Sequence, residues 1–257
     1  MDTVIAGALL STEEGLQPGS IRFSGTTITE IRLGPTPPSA FRGADIVDAS
    51  GMIASPGFID LHCHGGSGFD VNDETREAID GIASFHRSRG VTSFLPSVAI
   101  DEPAVVERSL DRVRRAMGSG GPGAPEILGA HLEGPYINPR YRGCQNASLI
   151  RELDEDALSE LEAWAGTIAR VTMAPELPGA MAAVERLRAA GVVISIGHSE
   201  ADTETCRAAA DRGATMATHL YNAMSGTRKE GAARIPGVIE AMLTDDRIYA
   251  ELIAEPR

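Results

Sequence analysis

Positively charged residues are scarce in this sequence. Its 257 residues include 23 Lys and Arg against 36 Asp and Glu, so the formal net charge is -13. The basic residues are dispersed among the acids, whereas binding to a nucleic-acid backbone needs a basic stripe. We therefore exclude nucleic acid as a partner, although a few local Arg or Lys residues would suffice to bind a small anionic substrate.

Long apolar runs and paired cysteines are also lacking. No stretch has the length of a membrane span, so no membrane partner is expected. The N-terminus carries Asp2 where a signal peptide would have basic residues. The three cysteines, Cys63, Cys144 and Cys206, lie far apart without a CxxC pair, which argues against disulfides. These features predict a cytoplasmic protein.

The chain changes its pattern near residue 55. Before it, short alternating segments at 3–10, 20–23 and 27–33 indicate strands. After it, apolar strands alternate with amphipathic helices, and Gly90, Gly191 and Gly213 stand where helix C-terminal caps belong. This alternation indicates a parallel sheet, either doubly wound or a (β/α)8 barrel. The predicted strands are 57–62, 91–96, 126–132, 169–173, 192–196, 214–218 and 248–253, and the predicted helices are 73–89, 101–117, 151–165, 178–190, 201–211 and 235–245.

Two histidines close the apolar run at residues 56–61. If that run is a strand, His62 and His64 share one face while Cys63 points away. Two imidazoles at a strand end are well placed to hold a metal ion. The alternative is a polar pair in an exposed loop.

Further histidines and a glutamate lie at or near the ends of other predicted strands. His131 and Glu133 belong to the third strand, His198 follows the fifth, and His219 follows the sixth. In a parallel barrel, functional residues collect at the C-terminal ends of the strands, which favours one shared metal site. The alternative is that each His is a satisfied polar residue near the sheet edge, and this is our interpretation of His86 on a helix face.

Five motifs, in order over nearly the whole chain, carry a family resemblance: PGFIDLHCHGG, HLEGPYINP, TMAPE, IGHSEA and THLYNAMS. They resemble the N-acetylglucosamine-6-phosphate deacetylases of the metal-dependent amidohydrolase superfamily. The resemblance implies an incomplete (β/α)8 barrel of about seven strands in residues 55–257. It also implies that residues 1–54 form the N-terminal portion of a small β-sandwich domain. The implied reaction is hydrolysis of N-acetyl-D-glucosamine 6-phosphate to D-glucosamine 6-phosphate and acetate.

The resemblance also assigns metal ligands. Glu133, His198 and His219 would be the primary ligands, and His62 and His64 would help to hold a second ion. One or two divalent ions are therefore expected, zinc foremost, with iron, manganese or cobalt as alternatives.

The partner implied by the resemblance is a small amino-sugar phosphate, bound by a homo-oligomer in the intact family form. Arg234 matches the phosphate-binding position, where a guanidinium offers a bidentate fork, and Arg228 and Lys229 are nearby alternatives. The family usually has a His where this chain has Gln145, so the substrate contact there differs. The implied substrate-binding residues are Cys144, Gln145, Asn222, Ala223 and Arg234.

The proton-transferring group of the family falls outside this sequence. In the family an Asp at the end of the eighth strand is the catalytic acid and base. Here Glu255-Pro256-Arg257 follows the seventh strand, so we assign no catalytic residue and expect a truncated family member with open sheet edges and poor independent stability. Two other functions stay open: deacetylation of the galactosamine 6-phosphate epimer, and a non-catalytic metal-binding remnant or a half that works only when complemented.

Overall fold

The computed structural model describes residues 2–75, 77–121 and 123–254. Residues 255–257, which follow the predicted seventh strand, lie outside the described residues, as does residue 76 of the predicted first helix. The chain divides after Gly57 into two compact units. The assignment of residues 1–54 and 55–257 to two domains stays a prediction. No helix among the described residues is long and apolar enough to cross a membrane.

Within the described residues the first unit is a sheet of five strands, of which three correspond to the predicted segments and two were not predicted. Strand β1 lies at the centre and pairs antiparallel with β2 and parallel with β4 and β5, while β3 pairs with β2. Every second residue of β1 from Val4 to Leu10 is buried, because one face of the sheet packs into a core. The strands are β1 (Asp2–Thr12), β2 (Gly15–Ser24), β3 (Thr27–Leu33), β4 (Asp45–Asp48) and β5 (Ile53–Ala54), and a short 3-10 helix spans Pro38–Ala40.

The described residues of the second unit form seven parallel strands. Their order is β6-β9-β11-β12-β13-β14-β17, with the short β10 also paired to β9. No ladder joins β6 to β17 within the described part of the chain, so the predicted incomplete barrel is confirmed. The strands are β6 (Phe58–Cys63), β7 (Gly65–Gly66), β8 (Phe69–Asp70), β9 (Val91–Val98), β10 (Glu126–Ile127), β11 (Ala130–Glu133), β12 (Ile168–Met173), β13 (Val193–Ile196), β14 (Ala214–Ala217), β15 (Arg228–Glu230), β16 (Ala233–Ile235) and β17 (Tyr249–Ala250).

In the part of the chain that the structure describes, six helices accompany these strands. Asp154 and Asp202 cap α3 and α5, each accepting a hydrogen bond from a backbone N–H of the first turn. The predicted caps Gly90, Gly191 and Gly213 have φ of 80°, 87° and 111°, the left-handed conformation that favours glycine. The helices are α1 (Glu77–Ser88), α2 (Pro103–Ala116), α3 (Glu155–Ala163), α4 (Ala180–Ala189), α5 (Thr203–Asp211) and α6 (Val238–Thr244), with 3-10 turns at Pro139–Tyr141 and Ala147–Leu149.

Three of the predicted elements that differ from the structure do so for a clear physical reason. The strand at 126–132 is interrupted at Gly129 (φ 135°), where a Cβ would lie 2.8 Å from the carbonyl oxygen of Thr167. The strand at 248–253 ends at Ala250, because its neighbour β14 ends at the paired residue Ala217. The helix at 235–245 begins only at Val238, since the preceding residues form a hairpin of β15 and β16.

The core of the second unit lies between the parallel strands and their helices. Strand residues such as Val171 and Ile194 are fully buried, and they share one apolar core with Ile82 of α1 and Leu187 of α4. This continuous burial is typical of parallel sheets covered by helices. The buried residues of these strands include a charged side chain, Arg170 of β12, with 1% exposure. Its partners lie at the end of the sheet that carries the histidines.

Candidate metal centre

Four histidines and one glutamate meet at the C-terminal ends of the parallel strands. His62 lies in β6 and His64 follows it, Glu133 ends β11, His198 follows β13, and His219 follows β14. All five side chains line one cleft. Parallel strands bring their carboxyl ends to a single edge, so residues far apart in sequence come together there.

The Glu133 carboxylate is the centre of this cluster. Its Oε1 lies 3.1 Å from Nε2 of both His198 and His219, and its Oε2 lies 3.0 Å from Nε2 of His64. Nε2 of His62 is 3.4 Å from Oε1. Glu133 therefore belongs to two groups of possible ligands, one with each pair of histidines. Separations of about 3.0–3.4 Å are those of ligand atoms that share one ion at bond lengths near 2.1 Å.

The hydrogen bonds of Nδ1 in His64 and His198 show which ring nitrogens face the Glu133 carboxylate. Nδ1 of His64 donates to the carbonyl oxygen of Ser97 at 3.1 Å, and Nδ1 of His198 donates to that of Tyr141 at 2.8 Å. A carbonyl oxygen only accepts, so in the neutral rings the Nε2 lone pairs point inward toward the Glu133 carboxylate. Converging lone pairs and a carboxylate repel one another unless a cation lies between them. The residues present therefore fit a divalent metal ion.

Glu251, just beyond β17, holds His62 from outside the cluster. Its Oε1 accepts a hydrogen bond from Nδ1 of His62 at 2.7 Å and from the backbone N–H of His219 at 3.1 Å. The carboxylate also forms an ion pair with the buried guanidinium of Arg170, which in turn donates to the carbonyl oxygen of Leu61. Sequence reasoning missed Glu251, although it is a carboxylate at a strand end, as Glu133 is.

Burial and the neighbouring imidazoles have opposite effects on the pKa of Glu133, which is 3% exposed. Burial raises the pKa of this carboxyl, but the polar rings of His198, His219 and His64 outweigh it and hold the pKa far below its usual range. At His64 burial lowers the pKa, and the carboxylate of Glu133 raises it above the ordinary value. Glu133 is therefore ionised at neutral pH and has the charge needed to bind a cation.

Strained backbone positions the two deeper histidines. His198 and His219 have φ of 49° and 34°, in the left-handed region that costs a non-glycine residue about 1–3 kcal/mol. Gly197 precedes His198, and a Cβ there would lie 2.8 Å from Cβ of Thr218 and 3.0 Å from Cγ2 of Thr172. The turn after β13 thus needs glycine in order to bring His198 against the neighbouring strands.

Gln145 touches the cluster directly. Its Nε2 donates to Oε2 of Glu133 at 2.8 Å, and its Oε1 accepts from the backbone N–H of Ile100 at 3.3 Å. The side chain is buried. It holds Oε2 of Glu133, whereas His198 and His219 lie near Oε1. Sequence reasoning placed Gln145 in the substrate loop and did not predict this contact.

The other predicted substrate residues are distributed unequally. Cys144, Asn222 and Ala223 line the cleft beside the histidines. Arg234 is exposed on β16 and is not among the residues that line the cleft. The structure therefore brings three of these four residues to the candidate centre.

Two histidines lie outside the centre. His131 is fully buried in β11, between the hydroxyls of Ser97 and Thr172, each 2.8 Å from a ring nitrogen. Burial and the charge of Arg170 hold its pKa well below the ordinary value, so the ring is neutral. His86 of α1 pairs with the carboxylate of Asp60 at 3.0 Å and donates to its own helix, contacts that are consistent with a structural role.

A third group of possible ligands consists of Asp60, Cys63 and His86. The two nitrogens of His86 already have oxygen partners, and Sγ of Cys63 lies 3.3 Å from the carbonyl oxygen of Gly65. The possible ligand atoms of His86 and Cys63 therefore already have hydrogen-bond partners, unlike the inward nitrogens around Glu133. The group is a hydrogen-bonded packing contact between β6 and α1.

Comparison with known proteins identifies the family. Residues 53–251 match the model of the amidohydrolase family, and the matched region includes every residue of the candidate centre. The chain belongs to the amidohydrolase family. This family is metal-dependent, which agrees with the groups of possible ligands around Glu133.

Individual amidohydrolases resemble the chain over most of its length. It is 36% identical to the N-acetylgalactosamine-6-phosphate deacetylase of Escherichia coli O157:H7, over 99% of this chain and 65% of that protein. It is 36% identical to the N-acetylglucosamine-6-phosphate deacetylase of Vibrio furnissii, over 83% and 53%.

A solved structure gives the same result. It shows a variant of the N-acetyl-D-glucosamine-6-phosphate deacetylase of Mycobacterium smegmatis in complex with N-acetyl-D-glucosamine-6-phosphate, with 32% identity and a TM-score of 0.82. The match covers 98% of this chain and 62% of that one. The chain therefore spans between half and two thirds of the length of these relatives.

Proposed function

We propose that this chain forms the metal-binding and substrate-facing part of an enzyme that hydrolyses N-acetyl-D-glucosamine 6-phosphate to D-glucosamine 6-phosphate and acetate. The observation that carries the proposal is the Glu133 carboxylate, which four imidazoles approach at the C-terminal ends of parallel strands. Relatives that bear the name of this deacetylase support the substrate class.

The proposed ligands are Glu133, His198 and His219 for one ion, and Glu133, His62 and His64 for a second. Zinc is the proposed metal, with iron, manganese or cobalt as alternatives, because imidazole and carboxylate donors suit all four. A divalent ion bound there would lower the pKa of a water molecule and polarise the amide carbonyl. The acceptors at Nδ1 of His62, His64 and His198 would keep the inward nitrogens of these three rings unprotonated.

Four of the five proposed substrate contacts line the cleft at this centre, and Arg234 does not. Asn222 and Ala223 would contact the sugar, and Cys144 and Gln145 would shape the loop on the other side of the cleft. Arg234 is the proposed phosphate contact, because its guanidinium is exposed and can form two parallel hydrogen bonds to phosphate oxygens. The partner is thus a small anionic amino sugar, and we extend the proposal to a cytoplasmic homo-oligomer.

Proton transfer needs a further group. Amide hydrolysis requires a base that takes a proton from water and passes it to the departing amine. Among the described residues, the carboxylates that line the cleft are Asp60, Glu133 and Glu251, and each lies within 3.1 Å of a histidine ring nitrogen. We propose that the acid–base group comes from polypeptide outside the described residues, in this chain or in a second one.

A second candidate substrate is N-acetylgalactosamine 6-phosphate. The relative that matches 99% of this chain is named for that epimer. The two sugars differ at one hydroxyl, so a few contacts at the cleft would decide between them. Both substrates therefore belong in the same assay.

The test is release of free amine from either sugar phosphate by the purified full chain, reconstituted with zinc. The assay is run with and without an added polypeptide, namely the part of the Vibrio furnissii relative that follows the matched region. Release that the added polypeptide increases, and that His198→Ala abolishes, supports the proposal. No release from either substrate in either arm contradicts it and favours a non-catalytic metal-binding protein.

A further inference from the structure

Glu251 occupies a special place around the candidate centre. His64 and His198 donate from Nδ1 to neutral backbone carbonyls, whereas His62 donates to the Glu251 carboxylate at 2.7 Å. We propose that Glu251 is a positioning residue that fixes His62 for the second metal ion. The inference rests on the proposed function, in which His62 and His64 hold that ion.

The hydrogen bond determines both the tautomer and the direction of the ring. A carboxylate accepts but does not donate, so the shared proton resides on Nδ1 of His62 and the lone pair resides on Nε2. That Nε2 lies 3.0 Å from Nε2 of His64 and 3.4 Å from Oε1 of Glu133. A carboxylate behind a ligand imidazole also makes the inward nitrogen a stronger donor to the metal.

The position of Glu251 depends on contacts with two strands. Its backbone N–H donates to the carbonyl oxygen of Ala217, and its carbonyl oxygen accepts from the N–H of Leu220. Its Oε1 accepts from the backbone N–H of His219 as well as from His62. The carboxylate therefore sets the distance between the two pairs of histidines as well as the orientation of one ring.

The charge of Glu251 matters as well as its shape. Arg170 is 1% exposed and ion-paired with Glu251, and its Nη2 donates to the hydroxyls of Ser195 and Thr218. Loss of the carboxylate would leave a buried cation beside His62, where it would repel a divalent ion. Glu251→Gln retains an acceptor oxygen for His62 but removes the negative charge, and Glu251→Ala removes both.

The experiment measures metal binding without substrate. Metal-free full-length protein is titrated with Co²⁺, and the two binding steps are followed by calorimetry and by the visible spectrum of the bound ion. The variants are Glu251→Gln, Glu251→Ala and His62→Ala, and Asp246→Asn is the control that removes an exposed carboxylate. Thermal unfolding of each metal-free variant reports whether it folds.

We expect two binding steps in the unchanged protein and in Asp246→Asn. One binding step should disappear in His62→Ala. Glu251→Ala should lower the metal affinity of that same step by about 10–100-fold and change its visible spectrum. Glu251→Gln should lower the affinity less. The other step should keep its affinity. Unchanged affinity and spectrum in both Glu251 variants would overturn the inference while leaving the second site intact, whereas an unchanged second step in His62→Ala would overturn the proposed second site itself.

Discussion

Nδ1 of His62 lies 2.7 Å from Oε1 of Glu251, although 189 residues separate them. His62 belongs to β6 and Glu251 follows β17, the two strands at the unpaired edges of the parallel sheet. Arg170 lies between them, donating to the carbonyl oxygen of Leu61 and ion-paired with Glu251. Side chains thus connect the two edges at the end where the candidate centre lies.

Gly197→Ala should damage both the fold and the centre. The added Cβ would lie 2.8 Å from Cβ of Thr218, and relief of that contact moves the turn that carries His198. We expect a loss of about 1–3 kcal/mol in the free energy of unfolding, together with weaker metal binding. The control is Gly166→Ala, since nothing lies within 4 Å of a Cβ there. Equal stability of the two variants in denaturant unfolding would refute this role of Gly197.

Gln145→Ala should destabilise the protein more than the same substitution at an exposed glutamine. It removes the donor to Glu133 and the acceptor of the Ile100 N–H, both in buried surroundings. We expect a loss of about 1–3 kcal/mol by chemical denaturation. Gln17→Ala is the matched control, because its hydrogen bond to Glu14 is exposed. A loss of the same size in both variants would show that the buried contact contributes nothing.

The His86–Asp60 pair should make stability depend on pH. The Asp60 carboxylate, followed by Cys63, raises the pKa of His86 to about 10, and the bond to His86 outweighs burial to lower the pKa of Asp60. A raised histidine pKa stabilises the fold fully below the unfolded value of about 6.5 and loses that effect as the pH rises to about 10. The lowered pKa of Asp60 also stabilises the fold, and this stabilisation is lost as the pH falls through the pKa of Asp60 in the folded protein.

The measurement compares unfolding free energies of the unchanged protein and His86→Gln across this range. The difference should be largest near pH 6, about 1–3 kcal/mol, and should shrink steadily toward pH 10. A difference that stays constant from pH 6 to pH 10 would mean that His86 acts through packing on Phe94, with which its ring stacks.

Chelation should lower the melting temperature. A metal ion that binds the folded state and not the unfolded state raises the free energy of unfolding. The increase is about 4 kcal/mol when the metal concentration is 1,000-fold above its dissociation constant. Differential scanning calorimetry with and without a chelator should therefore show a lower melting temperature in the metal-free protein. A variant with both His198→Ala and His219→Ala should show a smaller shift. A shift that is the same in this variant would place the bound metal elsewhere.

Local patterns in the sequence predict the strands and the histidine positions well. Alternation and apolar runs report burial directly, and His62, His64, His198 and His219 could be placed at one edge because parallel strands share their direction. The end of the seventh strand was predicted wrongly because Leu252 and Ile253 are apolar. They are 71% and 52% exposed, beyond the last residue of β14 available for pairing.

The supporting contacts could not be predicted from local patterns. The bond from Gln145 to Glu133 and the bond from His62 to Glu251 join separate loops, and no local periodicity encodes them. The buried Arg170 resembles an ordinary charged residue in the sequence. Only the folded sheet shows that its charge is balanced by Glu251.

The most direct test of the central claim is the number of metal ions bound per chain, measured by elemental analysis after zinc reconstitution. The claim is that Glu133 anchors two ions, one with each pair of histidines. It predicts two ions in the unchanged protein, one when His198 and His219 are both replaced by Ala, and one when His62 and His64 are both replaced. No stoichiometric zinc in the unchanged protein, or two ions in both double variants, would contradict it.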